Sequence, residues 1–98
     1  MRIVYKKPGQ VAGARNVPNT LDEWQRLVGG YIETVALDKN TLLICNEEGK
    51  LLKLQPNILF NNDIIVGPVI FVGVKDDDFI DIDRDMETRI IEFYREVM

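Results

Sequence analysis

The run from Ile64 to Val74 constrains this chain more than any other segment. Ile64, Ile65, Val66, Val69, Ile70, Phe71, Val72 and Val74 are all apolar, broken only by Gly67-Pro68 and Gly73. The stretch falls far short of the ~20 apolar residues a membrane helix needs. Proline cannot donate to a strand ladder, so Pro68 marks a bulge, a bend or an edge. The segment therefore reads as one long bent strand, or two short ones, covered on both faces. The 98 residues are the size of a single domain, read over residues 1–98.

Covering elements are visible on both sides of that run. Arg2-Ile3-Val4-Tyr5-Lys6 alternates loosely and predicts a first strand. Lys7 to Val17, with Pro8, Gly9 and Gly13, reads as a loop. Thr20 followed three residues later by Glu23 fits a capping box. Leu21, Trp24, Leu27 and Val28 then recur at helical spacing, and Gly29-Gly30 ends the helix. Tyr31–Leu37 and Thr41–Asn46 read as strands around an Asp38-Lys39-Asn40 turn. Asn46-Glu47-Glu48-Gly49 reads as a type I turn with Gly49 left-handed, leading into a strand over Lys50–Leu54. Gln55 to Asn62, holding Pro56, is a connection with room for one helical turn. Ile82, Met86, Ile90, Phe93, Tyr94 and Val97 fall on one face of a C-terminal helix. The expected class is α+β: an antiparallel β-sheet meander with a short helix after the first strand and an amphipathic C-terminal helix.

Composition excludes several chemistries. The chain has no histidine and one cysteine, Cys45. That removes Ser/His/Asp and Cys/His nucleophilic machinery, histidine metal ligands, an internal disulfide and a cysteine-rich metal site. Cys45 lies in an apolar strand and reads as a buried small hydrophobe, and Trp24 as core. The N-terminal residues show no apolar signal-peptide segment.

Charge is distributed unevenly. Residues 1–26 carry five basic and two acidic groups, a net of +3; residues 27–75 sum to −1 and residues 76–98 to −6, for the overall −4. Duplex nucleic acid demands a basic face, because phosphate contacts dominate its affinity, and the acidic C-terminal segment would repel it. A cluster of cations near the N-terminus could still hold a small anion.

Two acidic patterns have plainer explanations than a metal. Asp81, Asp83, Asp85 and Glu92 fall at positions 1, 3, 5 and 12 of a calcium-loop pattern. Position 6, which needs glycine for the sharp turn, is Met86, and helical periodicity already runs through the segment. A helix N-terminus that favours acidic groups accounts for it. Asp76-Asp77-Asp78 reads as a turn. No metal site and no cofactor are expected.

A series of strings resembles an uncharacterised domain family of bacteriophages and their Firmicutes hosts. The strings are Trp24-Gln25-Arg26-Leu27-Val28-Gly29-Gly30-Tyr31-Ile32-Glu33, Ile44-Cys45-Asn46-Glu47-Glu48-Gly49-Lys50-Leu51, Pro56-Asn57 and Asp63-Ile64-Ile65-Val66-Gly67. The resemblance covers roughly residues 1–75. It departs from the family pattern where Ile58 follows the Pro-Asn pair in place of a basic residue, and where Pro68 follows the glycine in place of a small one. It implies action in the cytoplasm of a host cell and supplies no settled reaction.

The expected function is non-catalytic binding of a small phosphorylated, nucleotide-like ligand such as a host immune signal. The site would lie between subunits of a homo-oligomer, since a chain this small has little room for a deep pocket. Candidate ligand contacts are Lys7 and Arg15 for phosphate, Tyr31 for stacking, and Glu33, Asn46 and Asn57 for polar contacts. The alternative is an acidic protein–protein interaction module that blocks or adapts a host factor through the −6 segment. A small hydrolase or lyase would need converging carboxylates, for which Glu33, Glu47, Glu48 and Asp63 are the candidates, but no spacing brings them together.

Overall fold

A computed structural model describes residues 1–95. The chain runs β1 (Arg2–Lys6), β2 (Gly13–Asn16), α1 (Leu21–Val28), β3 (Ile32–Asp38), β4 (Thr41–Asn46), β5 (Pro56–Phe60), β6 (Asp63–Val66), β7 (Val69–Lys75), β8 (Asp78–Ile80) and α2 (Arg84–Phe93). The class is α+β, with a mostly antiparallel sheet and two helices. The main sheet has the order β2-β1-β7-β4-β3, with β8 also paired to β7, and β5 and β6 form a separate hairpin.

The apolar run takes the central position its composition demands. In β7, Val69, Ile70, Phe71 and Val72 are all buried, flanked by β1 and β4. Gly67, at a φ of +76°, and Pro68 break the run, so that β6 and β7 are two strands in different sheets.

Side chains alternate between the two faces of the sheet. On one face Ile3, Tyr5, Ile44, Ile70 and Val72 pack with Trp24, Leu27 and Val28 of α1. On the other, Val4, Leu43, Cys45, Val69 and Phe71 meet Ile58 of the hairpin and Ile82 and Ile90 at α2. Each fully buried aliphatic or aromatic side chain contributes about 1.5–3 kcal/mol. Two polar contacts fix α1 to the sheet: Tyr5 donates its hydroxyl to the Leu27 carbonyl at 2.7 Å, and Asn46 Nδ2 donates to the Val28 carbonyl at 3.2 Å.

Local signals explain both helices. Thr20 accepts from the Glu23 amide at 3.2 Å, while the Glu23 carboxylate pairs with Arg26 instead of closing the box, and Gly29 ends α1 at a φ of +80°. Asp83 caps α2 by accepting from the amides of Asp85 and Met86. This carboxylate of the calcium-like pattern is thus a helix cap, and no metal-binding cluster occurs among the described residues.

Several expectations are corrected. The Lys7–Val17 segment contains β2, so α1 does not directly follow the first strand. The sheet is not a sequential meander, because β7 enters between β1 and β4. Residues 50–54 are not a strand. Leu52 N bonds Glu48 O, Lys53 N bonds Lys50 O and Leu54 N bonds Gly49 O, a helical turn closed by a Schellman-type finish with Lys53, not Gly49, left-handed. The Gln55–Asn62 connection holds β5, joined to β6 by a two-residue turn in which Asn61 and Asn62 have positive φ. Asp76-Asp77 makes the same kind of turn between β7 and β8. Phe93 is 77% exposed rather than on the buried helix face. Val97 lies outside the described residues. No helix among the described residues is long and apolar enough to cross a membrane.

Candidate functional site

The six residues expected to contact a ligand are distributed over the molecule. Lys7 is exposed just after β1. Arg15, on β2, lies over the Tyr5 ring with its guanidinium carbon 4.8 Å from the centroid. Tyr31 is 64% exposed at the entrance to β3. Asn57 is buried and spends its amide on the protein itself, donating to the carbonyls of Lys6 and Gly67, each at 2.8 Å. Its oxygen accepts from the neighbouring Lys6 ammonium. Asn46 is likewise buried, accepting from the Glu48 amide at 2.8 Å while holding the end of α1.

Two of the six, Glu33 and Asn46, do line a common space. The turn after β4 and the β5–β6 hairpin face each other across a cleft of about 390 Å³. Glu33, Cys45, Glu47, Glu48, Lys50, Leu51, Asp63 and Ile64 are among its lining residues. The four carboxylates that no sequence spacing brings together therefore line one cleft in the folded chain. Glu33 arrives from β3, Glu47 and Glu48 from the turn that starts the helical segment, and Asp63 from the start of β6. Lys50 is the cation of the lining and is already paired with Asp63 at 2.5 Å. At the rim, Leu51 and Ile64 are 77% and 50% exposed.

The cleft's chemistry follows from these positions. The Cys45 thiol points at Glu33, with Sγ 3.7 Å from Oε2. Burial, and then the nearby Glu33 charge, push the thiol pKa up to about 11, away from nucleophilic use at neutral pH. Glu33, Glu47 and Glu48 together present a surplus of negative charge. An anion entering this space is repelled; a cation is attracted. The exposed Leu51 and Ile64 supply apolar surface on which the methylene stem of a lysine or arginine can lie while its head reaches the carboxylates.

The opposite face carries a larger, shallower groove of about 670 Å³, where the short α1 leaves the sheet uncovered. Thr34, Ala36, Leu42, Val74 and Phe79 line it, and its rim mixes Asp38, Asp76 and Asp77 with Lys39 and Lys75. Its net of −1, three aspartates against two lysines, gives it less selectivity than the acidic cleft.

The family model of a domain of unknown function, DUF3846, matches residues 1–95, and the chain belongs to that family. No curated protein and no solved structure matches it.

Proposed function

We propose, for this member of an uncharacterised domain family, that it is a non-catalytic interaction module whose acidic cleft docks a cationic segment of a partner protein. The observation that supports this most is the gathering of Glu33, Glu47 and Glu48 beside exposed Leu51 and Ile64, with the lining lysine already engaged by Asp63. The nucleotide reading draws less support. Its polar contacts Asn46 and Asn57 are occupied within the fold, Arg15 rests on Tyr5, and the cleft that Glu33 shares repels phosphate. A hydrolase reading gains the shared cleft of its candidate carboxylates but draws less support, because Asp63 is engaged by Lys50 and the pKa of the Cys45 thiol beside them is driven up, away from nucleophilic use.

The test is an NMR titration of the isotopically labelled protein with a hexa-arginine peptide, and separately with a panel of cyclic and linear nucleotides. The peptide is expected to shift amides at Glu33, at residues 45–51 and at residues 63–66. Affinity should fall in high salt, and roughly three- to tenfold in a Glu47→Gln/Glu48→Gln variant, the range for two partly exposed charge pairs. Peptide shifts centred elsewhere, or none alongside saturable nucleotide binding, would overturn the proposal.

A further inference from the structure

Strand β3 forms one edge of the main sheet, and its outer side has no partner among the described residues. The ladder on its inner side determines which backbone groups are left over. Val74 N donates to Asn40 O, so the alternation of an antiparallel pair commits residues 40, 42 and 44 to β7. Residues 41, 43 and 45 of β4 are then the ones that bond β3. Their opposite numbers are Glu33 and Val35, with Asp38 beyond the irregularity between Ala36 and Asp38. The bond from Glu47 N to Tyr31 O continues the same alternation. Ile32, Thr34 and Ala36 consequently turn their N–H and C=O groups outward.

Protein edges of this kind are commonly blunted by proline, lysine or a central bulge. Ile32–Asp38 contains neither proline nor lysine, its two charges are the carboxylates Glu33 and Asp38, which discourage like-charged edges but not a cationic one, and its irregularity is confined to the far end. The opposite edge, β2, has only four residues. An open strand of seven residues with three outward-facing peptide groups is a template for strand addition.

The side chains say which strand would fit. Glu33, Val35 and Leu37 lie on the face shared with α2, where Val35 and Leu37 are half-buried and Glu33 opens into the acidic cleft. An incoming strand would therefore place a basic residue across from Glu33 and an aliphatic one across from Val35, two positions away. Charge decides between possible occupants. A second copy of this chain, with its net charge of −4, would bring its own Glu33 and acidic cleft to the same seam. A cationic segment would neutralise that charge.

We propose that β3 pairs edge to edge with an extended cationic segment of a partner protein, in which a lysine or arginine stands two residues from an aliphatic side chain. This rests on the cleft reading and adds the backbone geometry of the complex. The test titrates the full chain with a capped peptide Thr-Val-Thr-Val-Thr-Arg-Thr-Arg, its shuffled counterpart, and a version N-methylated at alternate residues to block one edge. Amide exchange at Ile32, Thr34 and Ala36 is expected to be fast in the free protein and to slow at least about tenfold with the ordered peptide. The shuffled and N-methylated peptides should give no such protection. Equal binding of ordered and shuffled peptides, with shifts in the cleft but no protection at these three amides, would overturn strand addition and leave cationic docking standing. If none of the three peptides binds and hexa-arginine does not bind either, both readings are overturned. Protection already present in the free protein, lost on dilution together with dimer mass, would show that a second copy holds the edge and would overturn the cationic partner.

Discussion

Lys6 and Asn57 hold each other from both directions: the Lys6 ammonium donates to Asn57 Oδ1 at 2.5 Å, and the Asn57 amide donates back to the Lys6 carbonyl at 2.8 Å. Both residues are buried, at 3% exposure each. They tie the end of β1 to the start of the β5–β6 hairpin, which belongs to a different sheet. Burial holds the Lys6 pKa below its ordinary value, so the ammonium depends on this acceptor.

Replacing Asn57→Leu leaves the buried ammonium only the backbone carbonyl of residue 57, at 3.5 Å, and takes one donor from each of the Lys6 and Gly67 carbonyls, and should destabilise the fold by about 3 kcal/mol in urea unfolding. A Lys6→Met/Asn57→Leu double variant should recover part of that loss, since both polar partners then go together. A single variant within about 0.5 kcal/mol of the parent would show that the pair carries no such weight.

Gly73 is required by a close approach. A Cβ there would overlap the Asp81 carbonyl oxygen and stand 3.0 Å from Ile80 Cγ1. Gly73→Ala should cost about 1–3 kcal/mol, because backbone rather than a flexible side-chain tip must move. Thermal unfolding of the variant provides the measurement, and an unchanged midpoint would refute the reading.

Cys45 should be nearly inert in the native protein. Raising its pKa from 9.0 to about 11 cuts the thiolate fraction at pH 8 by about a hundredfold. Labelling by a thiol reagent at that pH should accelerate by at least this factor in denaturant. Glu33→Gln should speed native labelling, since the glutamate contributes to the upward shift. A native rate matching the unfolded one would contradict the buried, charge-opposed geometry.

Acid should loosen the junction between β1 and α2. The Arg2 side chain donates to Glu87, with Nε 2.8 Å from Oε1, and that hydrogen bond together with the Arg2 charge depresses the Glu87 pKa. A carboxylate whose folded pKa is lowered stabilises the fold fully above its ordinary 4.5, and this contribution is lost as pH falls through the lower folded value. Arg2→Met should lower stability at neutral pH and flatten its acid dependence below 4.5. Parallel stability–pH curves for parent and variant would exclude the assignment.

The helices were legible because their signals are local. Thr20, the spacing of Trp24, Leu27 and Val28, and Gly29 act within one short stretch. The central strand was legible from the consecutive apolar residues Val69–Val72. Strand β2 was not, because Gly13-Ala14-Arg15-Asn16 is wholly exposed and its pairing is supplied by β1. Residues 50–54 carried three leucines and looked strand-like, whereas the terminating bonds to Gly49 and Lys50 and the left-handed Lys53 make a helical turn.

Site residues divided on the same principle. Asn46 and Asn57 stood out as polar residues among apolar neighbours, yet what each amide touches is set by α1, β1 and Gly67, far away in the chain. The meeting of Glu33, Glu47, Glu48 and Asp63 could not be read from spacing. It depends on the β5–β6 hairpin folding back against the turn after β4.

The central place of β7 also governs the order in which the molecule can form. Its neighbours β1 and β4 begin more than sixty and about thirty residues upstream, so neither gains this shared central partner until Val69–Lys75 has left the ribosome. Until then a nascent chain can complete only local pieces, such as α1 and the β3–β4 hairpin. Assembly should therefore be late, cooperative and slow for a chain of this length, because the decisive contacts close long loops.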